Sequence, residues 1–174
     1  GRPGGAIHGL LGGSAGAADG RAGVALPAEY SVPARVVAGG DGLRGGDWRL
    51  DVLAPPAGGG GGTAANDRSL VIVARAPGLT VLIPSDAEGP VLLRRPLPPA
   101  AVLVVSHHGS DDPRLGEVLR QVRPAQAVIS AGADNRHGHP AATTLAALAH
   151  AGIRVRRTDR EGDVRITAAT LRPP

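Results

Sequence analysis

The sequence contains no cysteine, no methionine and no phenylalanine, and every one of its 19 basic residues is arginine. Without cysteine, disulfides and thiolate metal sites are excluded, and the redox compartment leaves no mark. Tyr30 and Trp48 are the only aromatic residues. The core must therefore be aliphatic, and a stacking platform for single-stranded nucleic acid has little to be built from. No apolar run approaches the roughly 20 residues of a membrane-spanning helix, and no signal-peptide pattern is present. There is no internal repeat. The glycine run Gly58–Gly62 lacks the lysine and Ser/Thr of a phosphate loop. Neither Ser106 nor Ser110 lies in a G-x-S-x-G elbow, which argues against a serine hydrolase.

What remains is an ordinary globular composition. At 42% apolar residues, the 174-residue chain can bury a core, and it is expected to form a single domain over residues 1–174. The formal charge of +4 is compatible with a polyanionic partner without requiring one. The all-arginine usage, with abundant Ala, Gly and Pro, resembles a GC-rich coding bias. The chain opens without Met, which suggests a piece of a longer protein.

Along the chain, the glycine-rich start holds Ile7, Leu10 and Leu11 among too many glycines for a stable helix. Two short extended pieces follow, broken by Pro27 and Pro33. Trp48–Leu53 alternates as a half-buried strand. Residues 57–65 read as a flexible loop. Leu70–Ala74 and Leu79–Ile83 read as a hairpin around Pro77-Gly78. Val91–Arg95 is expected to be a short helix or irregular. Val102–Val105 is a buried strand that stops at His107-His108-Gly109. A helix is expected from Asp112 as N-cap and Pro113 at its first position, burying Leu115, Val118, Leu119 and Val122. Ala127–Ser130 is a further strand. A second helix should begin at Pro140, bury Leu145 and Leu148, and stop at Gly152. Ile153–Arg156 and Val164–Thr167 are expected to close as strands. Strand and helix alternate through the second half, the α/β signature.

Three strands end in groups that can converge: Asp86, His107 with His108, and His137 with His139. Open α/β sheets build their sites at the C-terminal ends of their strands. Imidazole and carboxylate without thiolate suit zinc, manganese or iron, and such a metal makes a hydroxide near neutral pH. The ordinary alternative for Asp86 is a turn residue, and for each histidine a solvated loop.

Taken in order, Asn66-x-x-Ser69-Leu70-Val71, Asp86, Ser106-His107-His108-Gly109-Ser110, Asn135-Arg136-His137-Gly138-His139-Pro140 and Arg157-Thr158-Asp159-Arg160-x-Gly162 resemble one lineage. It is the C-terminal metallo-β-lactamase-fold domain of ComEC-type bacterial competence proteins, the DNA-uptake channels. The match spans residues 66–167. The resemblance implies an αββα sandwich, here incomplete on its N-terminal side. It implies zinc or manganese held by Asp86, His107, His108 and His139, with Asp86 and His108 in the catalytic role. Asn66, Ser69, Ser110, Asn135 and His137 would support them. No small organic cofactor is implied. The implied partners are DNA and the channel portion of the same parent protein, with this domain a soluble appendage of a bacterial plasma-membrane protein.

The sequence departs from the family at the early H-x-D-x-D-H motif. Gly9-Leu10 fits the end of that motif, but Gly5 and Ala6 stand where ligands belong, and His8 is out of register. Two readings follow. One is a metal-dependent phosphodiesterase acting on DNA. The other is a degenerate domain that binds DNA or braces the channel. Arg114, Arg120, Arg123, Arg154, Arg156 and Arg157 are the cations expected to meet the DNA backbone, in a salt-dependent and nearly sequence-blind way.

Overall fold

The computed structural model describes residues 37–56 and 65–171. The expectations for Gly5, Ala6 and His8, for the pieces around Pro27 and Pro33 and for the glycine run 58–62 lie outside them. Val37–Pro174 forms a compact unit of its own.

Seven strands lie in one sheet in sequence order. They are β1 (Gly42–Gly45), β2 (Trp48–Ala54), β3 (Val71–Ala76), β4 (Leu79–Ile83), β5 (Val102–Val104), β6 (Gln126–Ile129) and β7 (Arg154–Arg157). The first four are joined as antiparallel neighbours. From β4 onward every pair is parallel. The chain is thus a mixed α/β protein. The second sheet that a sandwich requires is not among the described residues.

Parallel neighbours need crossovers, and each crossover here carries a helix. These are α1 (Gly89–Leu92), α2 (Leu115–Val122) and α3 (Ala142–His150), and a last short helix, α4 (Thr158–Glu161), follows β7. Right-handed crossovers between strands taken in order place all three helices on one face. Accordingly α1 packs on α2, and α2 on α3.

Register decides which residues meet those helices. Val73, Leu82, Leu103, Ala127 and Val155 pair across five strands in one row. The first four of these are at most 1% exposed. The row packs against Leu115, Val118, Leu119 and Val122 of α2 and Leu148 of α3. The stripe read from the sequence of α2 is therefore the buried one. The core is aliphatic, as the composition requires, and Trp48 lies at the sheet edge, 38% exposed. Burying one such Leu or Val contributes about 1.5–3 kcal/mol.

Four expectations need correction. Residues Val164–Thr167 form no strand. Their alternation is too short to hold a place in the sheet without a paired neighbour. The helix expected from Asp112 begins at Leu115. Asp112 instead turns its carboxylate to two main-chain amides, Arg114 at 3.0 Å and Gly89 at 2.7 Å. It therefore ties the start of α1 to the start of α2. The helix expected from Pro140 begins at Ala142. β1 was not anticipated as a strand. Its Gly-Leu-Arg-Gly sequence has little strand propensity, and pairing with β2 draws it into the sheet.

Candidate functional site

The parallel strands all end at one edge, and the loops that leave them meet there. Beyond β5 the chain enters a turn at Ser106–Gly109. His107, His108 and Gly109 are all left-handed, with φ of 48°, 57° and 84°. For the two histidines this costs on the order of 1–3 kcal/mol each, so the surroundings must enforce it. Several hydrogen bonds do. The His107 amide donates to the Ser85 carbonyl at 3.0 Å, and the Ser110 amide to the His107 carbonyl at 3.0 Å. The Ala141 amide donates to the Gly109 carbonyl at 2.8 Å. The Thr144 hydroxyl donates to the Ser110 carbonyl. Gly109 is glycine for a second reason as well. A Cβ there would stand 2.7 Å from the Cβ of Pro140.

The side chains of this turn are anchored separately. Nδ1 of His107 lies 2.9 Å from a carboxylate oxygen of Glu88, and the same oxygen accepts from the Ser110 hydroxyl. Nδ1 of His108 lies 2.7 Å from the Ser130 carbonyl. Glu88 was not singled out in the sequence. Its only signal there is position: two residues after Asp86, ahead of α1.

The loop after β6 brings the other imidazoles. Asn135 closes it by donating to the Gly132 carbonyl at 2.8 Å and the His139 carbonyl at 2.7 Å. Its own oxygen accepts from the His139 amide at 2.9 Å. His137 and His139 stack with ring centroids 5.9 Å apart, and His139 reaches to within 5.7 Å of His107. Thr158, at the start of α4, holds Ala131 near the start of this loop. Its hydroxyl accepts from the Ala131 amide and donates to the Ala131 carbonyl, both at 2.9 Å.

The structure therefore brings His107, His108, His137 and His139 together. Burial holds the His139 imidazole below its ordinary pKa, and the nearby charges of His107, His137 and His108 act the same way against the opposing pull of Glu88. Asp86 follows β4 at the same edge but has no hydrogen-bond or ion-pair partner among the described residues. Asn66 lies in a single 3-10 turn and Ser69 just after it. This segment touches the edge through the Leu70 carbonyl, which accepts from the Ser85 hydroxyl at 2.8 Å. Neither Asn66 nor Ser69 bonds to an imidazole among the described residues. Among the described residues no three His, Asp or Glu side chains are gathered so as to hold a metal ion.

The arginines divide between two edges. Arg114 pairs with Glu117, Arg156 with Glu161 and Arg157 with Asp159. The Arg157 pair is two-pronged, and its hydrogen bond lowers the Asp159 pKa and raises that of Arg157. Three of the six arginines expected to meet DNA are therefore occupied by a carboxylate. Arg120, Arg123 and Arg154 lie beside the starts of β6 and β7, at the edge opposite the histidines. Arg136 and Arg160, not chosen from the sequence for this role, are exposed at the histidine edge.

No family model matches the chain. It is 35% identical over 140 residues to the ComE operon protein 3 of Bacillus subtilis (strain 168), a stretch that covers 78% of this chain. The chain spans 18% of the length of that relative.

Proposed function

We propose that this chain is the metallo-β-lactamase-like domain of a competence protein of the ComEC type, and that it contacts incoming DNA without cleaving it. The similarity to a ComE operon protein supports the competence assignment. The channel portion of the parent protein is its second partner, and the domain is attached through it to the plasma membrane. No helix among the described residues is long and apolar enough to cross a membrane.

The observation that carries the contact is the grouping at one edge of four histidines with Arg136, in the loop of His137 and His139, and Arg160, in α4. These arginines form no ion pair among the described residues. Phosphate binding by arginine releases counterions, so it weakens steeply with salt. Among the described residues no three His, Asp or Glu side chains are gathered to hold a metal, and the binding reading is therefore preferred to the phosphodiesterase reading.

The test is fluorescence anisotropy with a labelled oligonucleotide across a salt series. Replacing Arg136 and Arg160 together by Ala should lower the log–log salt slope by about two. Replacing Arg120 and Arg123 should leave it unchanged. The reverse pattern would move the interface to the opposite edge. DNA cleavage by the unmodified chain with added zinc or manganese, abolished by Asp86→Ala, would overturn the reading without catalysis.

A further inference from the structure

The histidine turn contains a feature that rests on geometry alone and not on the DNA reading. A carboxylate and a main-chain carbonyl only accept hydrogen bonds. The ring nitrogen facing each must therefore carry the proton. For His107 that acceptor is Glu88, at 2.9 Å from Nδ1. For His108 it is the Ser130 carbonyl, at 2.7 Å from Nδ1. The hydrogen bond made by one ring nitrogen decides which nitrogen is left bare. Two adjacent imidazoles thus share one tautomer through two unrelated acceptors.

We propose that Glu88 is a positioning residue that holds His107 as the Nδ1–H tautomer, with a bare Nε2, while clamping Ser110 at the far end of the same left-handed turn. Its carboxylate spans the turn from His107 to Ser110. Glu88 is itself positioned by the chain, directly before α1, whose first amide is tied to Asp112. The consequence is chemical. With Nε2 bare on both His107 and His108, these rings offer lone pairs. They take an electron-pair acceptor or an N–H or O–H donor, and when neutral they do not donate to a phosphate oxygen. Phosphates at this edge are left to Arg136 and Arg160.

The test is a long-range proton–nitrogen correlation spectrum of the full chain, labelled with nitrogen-15, at about pH 8, where ordinary imidazoles are neutral. In the parent chain both His107 and His108 are expected as Nδ1–H. Glu88→Ala removes the acceptor and should move His107 toward Nε2–H. His108, held by the Ser130 carbonyl, should not move and serves as the control within the same spectrum. Glu88→Asp keeps the carboxylate and should retain the Nδ1–H form. Ser110→Ala removes only the hydroxyl and should leave His107 as it is. A parent His107 in the Nε2–H form overturns the proposal, as does a folded Glu88→Ala chain whose His107 stays Nδ1–H. If Glu88→Ala does not fold, Glu88→Asp decides: an Nε2–H His107 in that chain overturns the proposal, and a retained Nδ1–H upholds it.

Discussion

The two halves of the sheet are built from the same aliphatic residues but differ in what they carry. In β1 to β4, antiparallel pairing sends successive turns to opposite edges. The polar groups there form local clusters, such as Asp51 between Arg49 and Arg75. In β4 to β7, every strand points the same way. The turns that follow β4, β5, β6 and β7 therefore arrive at one edge, where Ser85 meets His107, His107 lies near His139 and Thr158 holds Ala131. Strand direction, rather than residue composition, is what gathers the candidate site. The parallel half also depends more on its core, since helices cover one face of it.

The largest test of this contrast is core truncation in the parallel half. Leu103→Ala, at the centre of β5 and 1% exposed, should cost about 2–5 kcal/mol in denaturant unfolding. A loss much below that would mean that the helix layer packs loosely. Next in size is a pair of glycine substitutions. Gly109→Ala meets both a left-handed φ and Pro140, and should destabilise by at least about 2 kcal/mol. Gly46→Ala, in the β1–β2 turn, has a φ of +56° and no atom within 4 Å of the added carbon. It should cost only about 1 kcal/mol. Equal losses would remove the distinction between a turn that must fit a site and one that need only reverse the chain.

A smaller effect is expected on the acid side. Burial raises the Asp51 pKa, but the hydrogen bonds and charges of Arg49 and Arg75 more than offset it, so the net shift is downward from 3.8. A depressed folded pKa means that the unfolded chain binds the proton more readily. The contribution is therefore complete above 3.8 and is lost as pH falls through the folded value. Asp51→Asn should flatten the acid limb of the stability profile there, by no more than about 1 kcal/mol for so exposed a cluster. An unchanged acid limb would show that the cluster contributes nothing to stability. Smallest of all, Leu43→Ala on the edge strand, where Leu43 is 42% exposed, should change stability by less than about 0.5 kcal/mol. A larger loss would show that the antiparallel edge is more tightly packed than its exposure indicates.

Much of the parallel half was legible because buried strands and an amphipathic helix write their period directly into sequence. Leu79–Ile83 is β4 to the residue, and the α2 stripe is the buried one. The antiparallel edge was less so. β1 owes its strand to pairing, and its Gly-Leu-Arg-Gly sequence carries no period to read. At the site, the histidines could be named from their position after apolar strands. Their left-handed backbone could not, because non-glycine residues adopt it only when tertiary contacts enforce it. Glu88 escaped for the same reason. Its partners lie 19 and 22 residues away, and nothing local marks a carboxylate that will meet them.

The Thr158 hydroxyl, closed in both directions on the peptide of Ala131, has a consequence for how the molecule is made. A chain leaving the ribosome exposes β4, β5 and β6, with most of their buried rows, before residue 158 has been synthesised. Domains begin to fold as their segments emerge. The core can therefore condense while the loop carrying His137 and His139 is still untethered at Ala131. The histidine edge is finished only when Thr158 arrives, so a nascent or clipped chain ending before it would be compact without a completed edge.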